Sequence, residues 1–162
     1  MAGVTLASAA SSMNFLITGG ARGIGRGLAR ILLQSGHRVF LLDNNADELA
    51  HTEHLCATWT SATPNPPTQG TYCTKVVDLS SRPALKDAAR SVSDFFNGHL
   101  DVLVHNAMPT NFASKPMWEL DDAEVERDWD TKMAVGLTAP FLLTRMCVGM
   151  LRKGESRQTG TF

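Results

Sequence analysis

A glycine-rich segment that directly follows an apolar run is the feature that most restricts the fold of this chain. The run Phe15-Leu16-Ile17 is typical of a buried strand, and Thr18-Gly19-Gly20-Ala21-Arg22-Gly23-Ile24-Gly25 follows it before apolar residues recur at helical spacing. A strand that ends in such a turn and leads into a helix presents unpaired backbone N–H groups to an anion. The segment therefore predicts a binding site for the pyrophosphate of a dinucleotide.

The strand-and-helix unit repeats along the chain, which sets the fold class. Short apolar runs predict four strands, at residues 15–17, 39–42, 73–77 and 101–105. Helices are expected to begin near Ile24, near Ala46, after a cap at Ser80 or Ser81, and after the capping box formed by Asp121 and Glu124. The strands are apolar on both faces, so we expect an α/β fold: a partial Rossmann-like, doubly wound parallel sheet of about four strands in the order 3-2-1-4, with flanking helices.

Apolar residues recur at helical spacing in the third and fourth helices. The third helix is expected to bury the stripe formed by Leu85, Ala89, Val92 and Phe96. The long fourth helix carries Val125, Trp129, Met133 and Leu137 at helical spacing. Gly136 and Pro140 fall within this last helix and are expected to weaken or kink it.

Composition predicts one soluble domain with small-molecule partners. The 162 residues are 43% hydrophobic and have a formal net charge of −1, which provides no basic field for nucleic acid. No segment approaches the roughly 18 consecutive apolar residues of a membrane span. Three cysteines without a CxxC pair favour a reducing compartment, so we expect a cytoplasmic protein. Residues 1–12 are expected to form a flexible tail, 13–153 the domain, and 154–162 an irregular tail.

In their order along the chain, the motifs resemble those of the short-chain dehydrogenase/reductase family. The family pattern TGxxxGxG is matched by Thr18, Gly19, Gly23 and Gly25, and the later strands are followed by Asp43, by Asp78-Leu79 and by Asn106-Ala107. The resemblance runs from about Phe15 to about Lys153 and covers the first half of the family's usual domain. It implies binding of NAD or NADP and descent from an oxidoreductase that acts on a hydroxyl or carbonyl group of a small metabolite.

The resemblance assigns roles to the residues of the predicted cofactor site. Gly19 would allow the tight turn, Gly23 would let the backbone approach the pyrophosphate, and Gly25 would permit close helix packing. Asp43 would accept hydrogen bonds from the adenosine ribose and repel a 2′-phosphate, which favours NAD, whereas Arg22 could attract that phosphate and keeps NADP as the alternative. The expected cofactor-binding residues are Gly19, Arg22, Gly23, Ile24, Gly25, Asp43, Asp78, Leu79, Asn106 and Ala107.

The sequence departs from the family pattern where the family places its catalytic groups. Gly136 occupies the position of a catalytic Asn, and His105 and Met108 replace Asn and Gly in the run that follows the fourth strand. The single tyrosine, Tyr72, is followed four positions later by Val76, so the chain contains no Tyr-x-x-x-Lys. The catalytic Ser is also unmatched. We therefore assign no catalytic residue, and we expect no metal site because the nearby histidines of the second helix lack further ligands.

Three functional interpretations remain open at this stage. The chain is an oxidoreductase, a non-catalytic cofactor-binding or partner subunit, or a shortened inactive gene product. The fourth strand is expected to be an exposed edge beside the long helix, which favours a homo- or hetero-oligomer formed through these two elements.

Overall fold

Four parallel strands form one sheet in the order β3-β2-β1-β4, as predicted. The computed structural model describes residues 12–61, 70–109 and 115–158, with side chains to 153. The strands are β1 (Asn14–Thr18), β2 (Arg38–Asp43), β3 (Tyr72–Val76) and β4 (Val102–His105). The helices are α1 (Gly23–Gln34), α2 (Ala46–Ser61), α3 (Arg82–Phe95), α4 (Asp122–Met133) and α5 (Ala139–Gln158), with a 3₁₀ turn at Met117–Glu119 and a π-helical turn at Ala134–Thr138.

The central strand β1 separates two hydrophobic cores. Leu16 pairs with Phe40 of β2, and Ile17 pairs with Leu41, in parallel register. Because side chains alternate across a strand, Leu16 and Phe40 pack with α3 and α5 on one face, while Ile17 and Leu41 pack with α1 and α2 on the other. This double burial explains why the strands have continuous apolar sequences rather than alternating ones.

Local capping signals begin the later helices where the sequence predicts. The Ser81 hydroxyl accepts a bond from the Ala84 N–H at 3.4 Å, and a proline lies in the first turn of α3. At α4, Asp121 and Glu124 form the reciprocal capping box. The predicted stripe of α3 is confirmed, since Leu85, Ala89, Val92 and Phe96 are all buried.

The apolar residues at helical spacing on the long helix do not form a buried stripe. Trp129 and Leu137 are 63% and 57% exposed, and α4 has no buried residue. Helical spacing identifies a shared face but not the surface that the face contacts. The predicted irregularity is confirmed as the π-helical turn, because Pro140 has no N–H to bond the carbonyl of Gly136 four residues earlier.

Two predicted boundaries also need correction. Helix α2 runs to Ser61 rather than to Ala57. Helix α5 continues to Gln158, so residues 154–158 are helical rather than irregular. The α5 extension contains good helix formers such as Glu155 and Arg157, and its one glycine costs the helix only about 1 kcal/mol. The predicted N-terminal tail up to residue 11, residues 62–69 and 110–114, and the last four residues of the predicted C-terminal tail lie outside the described ranges.

The continuous helix Asp122–Lys153 is long and apolar enough, by length and composition, to cross a membrane. The expectation that no segment reaches this threshold was based on uninterrupted apolar runs, which the polar residues within this helix break up. One such helix is weak evidence for a membrane span, because helices of soluble proteins pass the same test.

Candidate functional site

A crevice of about 640 Å³ opens where the carboxyl ends of the strands meet the start of α1. In an open parallel sheet, ligands bind outside these strand ends, where the strand order reverses. The reversal lies here between β1 and β4, because the chain runs from β1 outward to β2 and β3 and then crosses back to place β4 on the other side of β1. Eight of the ten residues predicted for the cofactor site line the crevice: Gly19, Arg22, Ile24, Asp43, Asp78, Leu79, Asn106 and Ala107.

The floor of the crevice is the junction of β1 with the end of β4. The buried Thr18 hydroxyl accepts bonds from the N–H groups of Asn106 and Ala107, each at 3.1 Å. In return, the Asn106 side-chain amide donates to the carbonyl oxygens of Thr18 at 3.1 Å and Gly19 at 2.9 Å. Asn106 thus fixes the beginning of the glycine turn against the adjacent strand.

Close contacts leave no room for a side chain at Gly19 or at Gly25. Gly19 has φ of +69°, and a Cβ there would lie 2.8 Å from the Ala107 Cα. A Cβ at Gly25 would lie 2.1 Å from the carbonyl oxygen of Gly19. Gly25 therefore does not line the crevice but lets the first turn of α1 pack directly on the turn that precedes it.

The first turn of α1 is the anion-binding element of the crevice. Arg22 occupies the N-cap position in extended conformation and makes no side-chain cap. Gly23, the first helical residue, has φ of +56° and open space beside it. The leading N–H groups of a helix have no partner within it, and the helix dipole adds about half a positive charge there. An anion such as a phosphate is the complement of this terminus.

Asp43 and Asp78 place carboxylates on the sheet side of the crevice. Asp43 Oδ2 accepts from the Ala21 N–H and Oδ1 from the Asn45 N–H, each at 3.0 Å. Asp78 Oδ1 accepts both the N–H and the hydroxyl of Ser80, at 2.9 and 2.7 Å. An ionised carboxylate has about four acceptor sites, so each group both orders its own turn and keeps acceptor capacity for a ligand hydroxyl.

Helix α4 and the π-helical turn supply a wall that the sequence did not predict. Asp130 and Thr131 of α4, with Ala134 and Val135 of the turn, face the crevice. Neighbours of predicted residues were missed as well: Asn44, Val77, Ser80, Met108 and Pro109. Adjacency to Asp43, Asp78 and Ala107 would have identified these neighbours, whereas no local pattern shows that α4 approaches the strand ends.

His105 lies apart from this crevice, on the face of the sheet that packs against α5. Its Nε2 is 2.8 Å from the Thr144 hydroxyl. Partial burial of the imidazole lowers its pKa below the ordinary histidine value. This bond agrees with the prediction that His105 is a hydrogen-bonded structural residue. Among the described residues, no group of three or more His, Cys, Asp or Glu side chains is arranged to hold a metal ion.

Comparison with known proteins identifies the family. The family model for short chain dehydrogenases matches residues 13–161. A short chain dehydrogenase/reductase, dpfgG of Gibberella zeae, is 30% identical over 142 residues, covering 87% of this chain and 47% of its own length. A rhamnolipids biosynthesis 3-oxoacyl-[acyl-carrier-protein] reductase of Pseudomonas aeruginosa is 27% identical over 143 residues, covering 88% and 49%.

Solved structures agree with these relatives. A metagenomic short-chain oxidoreductase, crystallised with NADP, superposes with a TM-score of 0.70 at 31% identity over 90% of this chain and 60% of its own. An NAD⁺-bound xylitol dehydrogenase shares the fold, with a TM-score of 0.68 at 22% identity over 87% and 48%. The chain spans about half the length of the curated relatives it matches. The predicted resemblance is confirmed: the chain belongs to the short-chain dehydrogenase/reductase family.

Proposed function

We propose that this chain binds a nicotinamide dinucleotide in the crevice and is the cofactor-binding part of an oxidoreductase acting on a hydroxyl or carbonyl group of a small metabolite. The observation that carries this proposal is the convergence of the uncapped α1 terminus with Asp43, Asp78 and Asn106 around one cavity of about 640 Å³. Family membership and the NADP complex of the metagenomic relative support the choice of cofactor.

The residues of the crevice fit the parts of such a cofactor. The pyrophosphate would bind at the start of α1, near Arg22, Gly23 and Ile24, where the turn provides N–H donors and space. The adenosine ribose would bind at Asp43, and the adenine beside Asp78 and Leu79. When bound, the nicotinamide supplies or accepts the hydride. The protein residues hold and orient it.

The charges around the crevice favour NAD over NADP. The acidic side chains Asp43, Asp78 and Asp130 line the cavity together with the cationic Arg22. A 2′-phosphate adds nearly two negative charges, and beside Asp43 it would meet a carboxylate that two backbone N–H groups hold in place. We infer that NAD is preferred and that Arg22 allows weaker binding of NADP.

Titration calorimetry of the folded 162-residue chain with NADH and NADPH tests this proposal. We expect NADH to bind more tightly than NADPH. The substitution Asp43→Asn should reduce this difference in affinity, because it removes the charge that repels the 2′-phosphate. Asp47→Asn is the matched control, since Asp47 is an exposed residue of the first turn of α2 outside the crevice. Failure of a folded sample to bind either dinucleotide would refute the proposed function.

No catalytic residue is proposed within this chain. Tyr72 begins β3 and pairs with Val39, so it lies at the end of the sheet opposite the crevice. A panel of ketones incubated with NADH and this chain alone should give no turnover above background while the dinucleotide still binds. Turnover would instead show that other groups of the chain supply the proton.

We also infer a cytoplasmic location and association through β4 and the long helix. The three cysteines are free thiols. Strand β4 is an edge of the described sheet. Next to it, the long helix exposes Trp129, Leu137 and Phe141, the last at 69%. Light scattering during size-exclusion chromatography should detect a species larger than the 17.5 kDa monomer; a monomer at micromolar concentration would contradict this inference.

A further inference from the structure

Three side chains outside the crevice hold the glycine turn from behind. Thr52 of α2 is completely buried, and its hydroxyl donates to the Ala21 carbonyl oxygen at 2.7 Å. Arg26 of α1 donates to the same oxygen through Nε at 2.9 Å and also through Nη2. Glu48 of α2 forms an ion pair with the Arg26 guanidinium. We call Arg26, Glu48 and Thr52 the carbonyl clamp.

The carbonyl clamp is itself a closed set of hydrogen bonds. The Thr52 hydroxyl, while donating to Ala21, accepts from Arg26 Nε at 2.8 Å. Arg26 is mostly buried, with 24% of its side chain exposed, and the pairing to Glu48 keeps its charge compensated. A buried, hydrogen-bonded side chain has one accessible rotamer, so the clamp defines the position of the Ala21 carbonyl.

Ala21 is held on its other side as well. Its N–H donates to Asp43 Oδ2 at 3.0 Å, so both polar backbone atoms of Ala21 are bound. Ala21 directly precedes Arg22, the N-cap of α1. The plane of the peptide between these two residues sets the direction of the Arg22 N–H and the beginning of the helix. None of the clamp side chains lines the crevice.

We propose that Thr52, with Arg26 and Glu48, is a positioning residue for pyrophosphate binding: it acts through the Ala21 carbonyl and orients the N–H groups at the start of α1. This inference depends on the proposed function, because it assigns these residues to the same site. The proposal also predicts which end of the ligand is affected. The clamp bonds the carbonyl of the peptide that carries the Arg22 N–H and reaches the ribose site only indirectly, through Ala21 and Asp43. It therefore acts on the phosphate end of the ligand more than on the adenosine end.

The test compares three variants of the full chain at residues of α2. Thr52→Val keeps the shape and removes the hydroxyl; Thr52→Ser keeps the hydroxyl. Thr58→Val is the matched control, because the Thr58 hydroxyl bonds the His54 carbonyl of its own helix at 3.2 Å and is exposed. Ligand-observed NMR titrations with ADP and with adenosine separate the phosphate end from the nucleoside.

One lost hydrogen bond changes an equilibrium constant by about 2- to 12-fold. We expect Thr52→Val to weaken ADP binding by such a factor and to weaken adenosine binding clearly less. The variants Thr52→Ser and Thr58→Val should bind ADP as tightly as the wild type. Hydrogen exchange of residues 22–24 in the ligand-free chain should be faster in Thr52→Val only.

The possible failures are distinguishable. Unchanged ADP affinity in a folded Thr52→Val variant would overturn the positioning role alone. An equal loss for ADP and adenosine would also overturn it, because a general loosening of the fold affects both ligands alike. If the wild-type chain binds neither ADP nor NADH, the proposed function fails and this inference fails with it.

Discussion

The close contact between Gly25 and the glycine turn predicts how much stability is lost when a single methyl group is added at Gly25. A Cβ at Gly25 would lie 2.1 Å from the Gly19 carbonyl oxygen and 2.8 Å from the Asn106 side-chain nitrogen, whereas ordinary contact begins at 3.4 Å. Neither neighbour is the free end of a flexible side chain. The substitution Gly25→Ala therefore requires the backbone of the turn to move away from the helix.

The expected loss in the free energy of unfolding can be estimated from the packing and the hydrogen bonds that this movement of the turn would disrupt. The Gly19 carbonyl accepts the Asn106 amide at 2.9 Å, and the Gly19 N–H donates to Leu42 at 2.8 Å. Overpacking of this kind costs about 1–3 kcal/mol, and a lost hydrogen bond about 1 kcal/mol. Alanine gains up to about 1 kcal/mol over glycine in a helix. We expect a net loss of about 2 kcal/mol in the free energy of unfolding.

Gly27 provides the matched control in the same helix. A Cβ at Gly27 meets nothing within 4 Å, so Gly27→Ala keeps the helix-propensity gain without the collision. For a domain of this size, 1 kcal/mol shifts the melting temperature by about 2–4 °C. Thermal unfolding followed by circular dichroism should show Gly25→Ala about 4–8 °C below the wild type and Gly27→Ala slightly above it.

The two variants also define what would refute the reasoning. If Gly25→Ala melts at or above the wild-type temperature, the turn accommodates a methyl group, and close packing is not the reason for a glycine there. If both variants are destabilised equally, the effect lies in the helix as a whole rather than in the contact with Gly19.

Three further predictions concern other parts of the fold. Thr18→Val should cost about 2–6 kcal/mol by chemical denaturation, because the part-buried N–H groups of Asn106 and Ala107 lose their acceptor at about 1–3 kcal/mol each, and Thr18→Ser should retain most of the stability; similar losses for both would point to the methyl group instead. The pKa of Glu124 is lowered by the Asp121 N–H and by Lys115, so its contribution to stability is present above its unfolded pKa and lost as pH falls through the folded one. The stability advantage of the wild type over Glu124→Gln should therefore shrink as the pH falls through and below the ordinary glutamate pKa of 4.5, and a constant difference would contradict this. Of the three cysteines, Cys56 and Cys147 are buried, and burial raises the pKa of their thiols to about 11. Ellman's reagent should therefore modify the half-buried Cys73 first, and should modify Cys56 and Cys147 only on unfolding.

The features that the sequence predicted correctly are those that depend on neighbouring residues. The glycine turn follows an apolar run, Ser81 precedes Pro83, and Asp121 precedes Glu124 by the three positions that a capping box needs. Asp43 lies at the crevice for a similarly local reason, since the last residue of a parallel strand is at the edge of the sheet where ligands bind.

The features that the sequence did not predict depend on contacts between distant elements. The spacing of Trp129 and Leu137 is helical, but which side of α4 meets the crevice is decided by how that helix crosses the strand ends, and the sequence contains no local record of it. Thr52 lies 31 positions from the carbonyl that it bonds. A threonine within a helix usually bonds its own helix, as Thr58 does, so nothing in the pattern around Thr52 distinguishes it.

The hydrogen bonds of the glycine turn explain how a ligand site can exist before the ligand binds. The Leu42 carbonyl accepts the N–H groups of Gly19 and Gly20, Asn106 binds the Gly19 carbonyl, and both polar atoms of Ala21 are bound through Asp43 and the carbonyl clamp. These bonds join the turn to β2, to the end of β4 and to α1 and α2, so the turn keeps its shape without an anion. Little ordering of the turn is then needed when a ligand binds. The affinity of the site should therefore depend also on residues such as Thr52 that do not line the crevice.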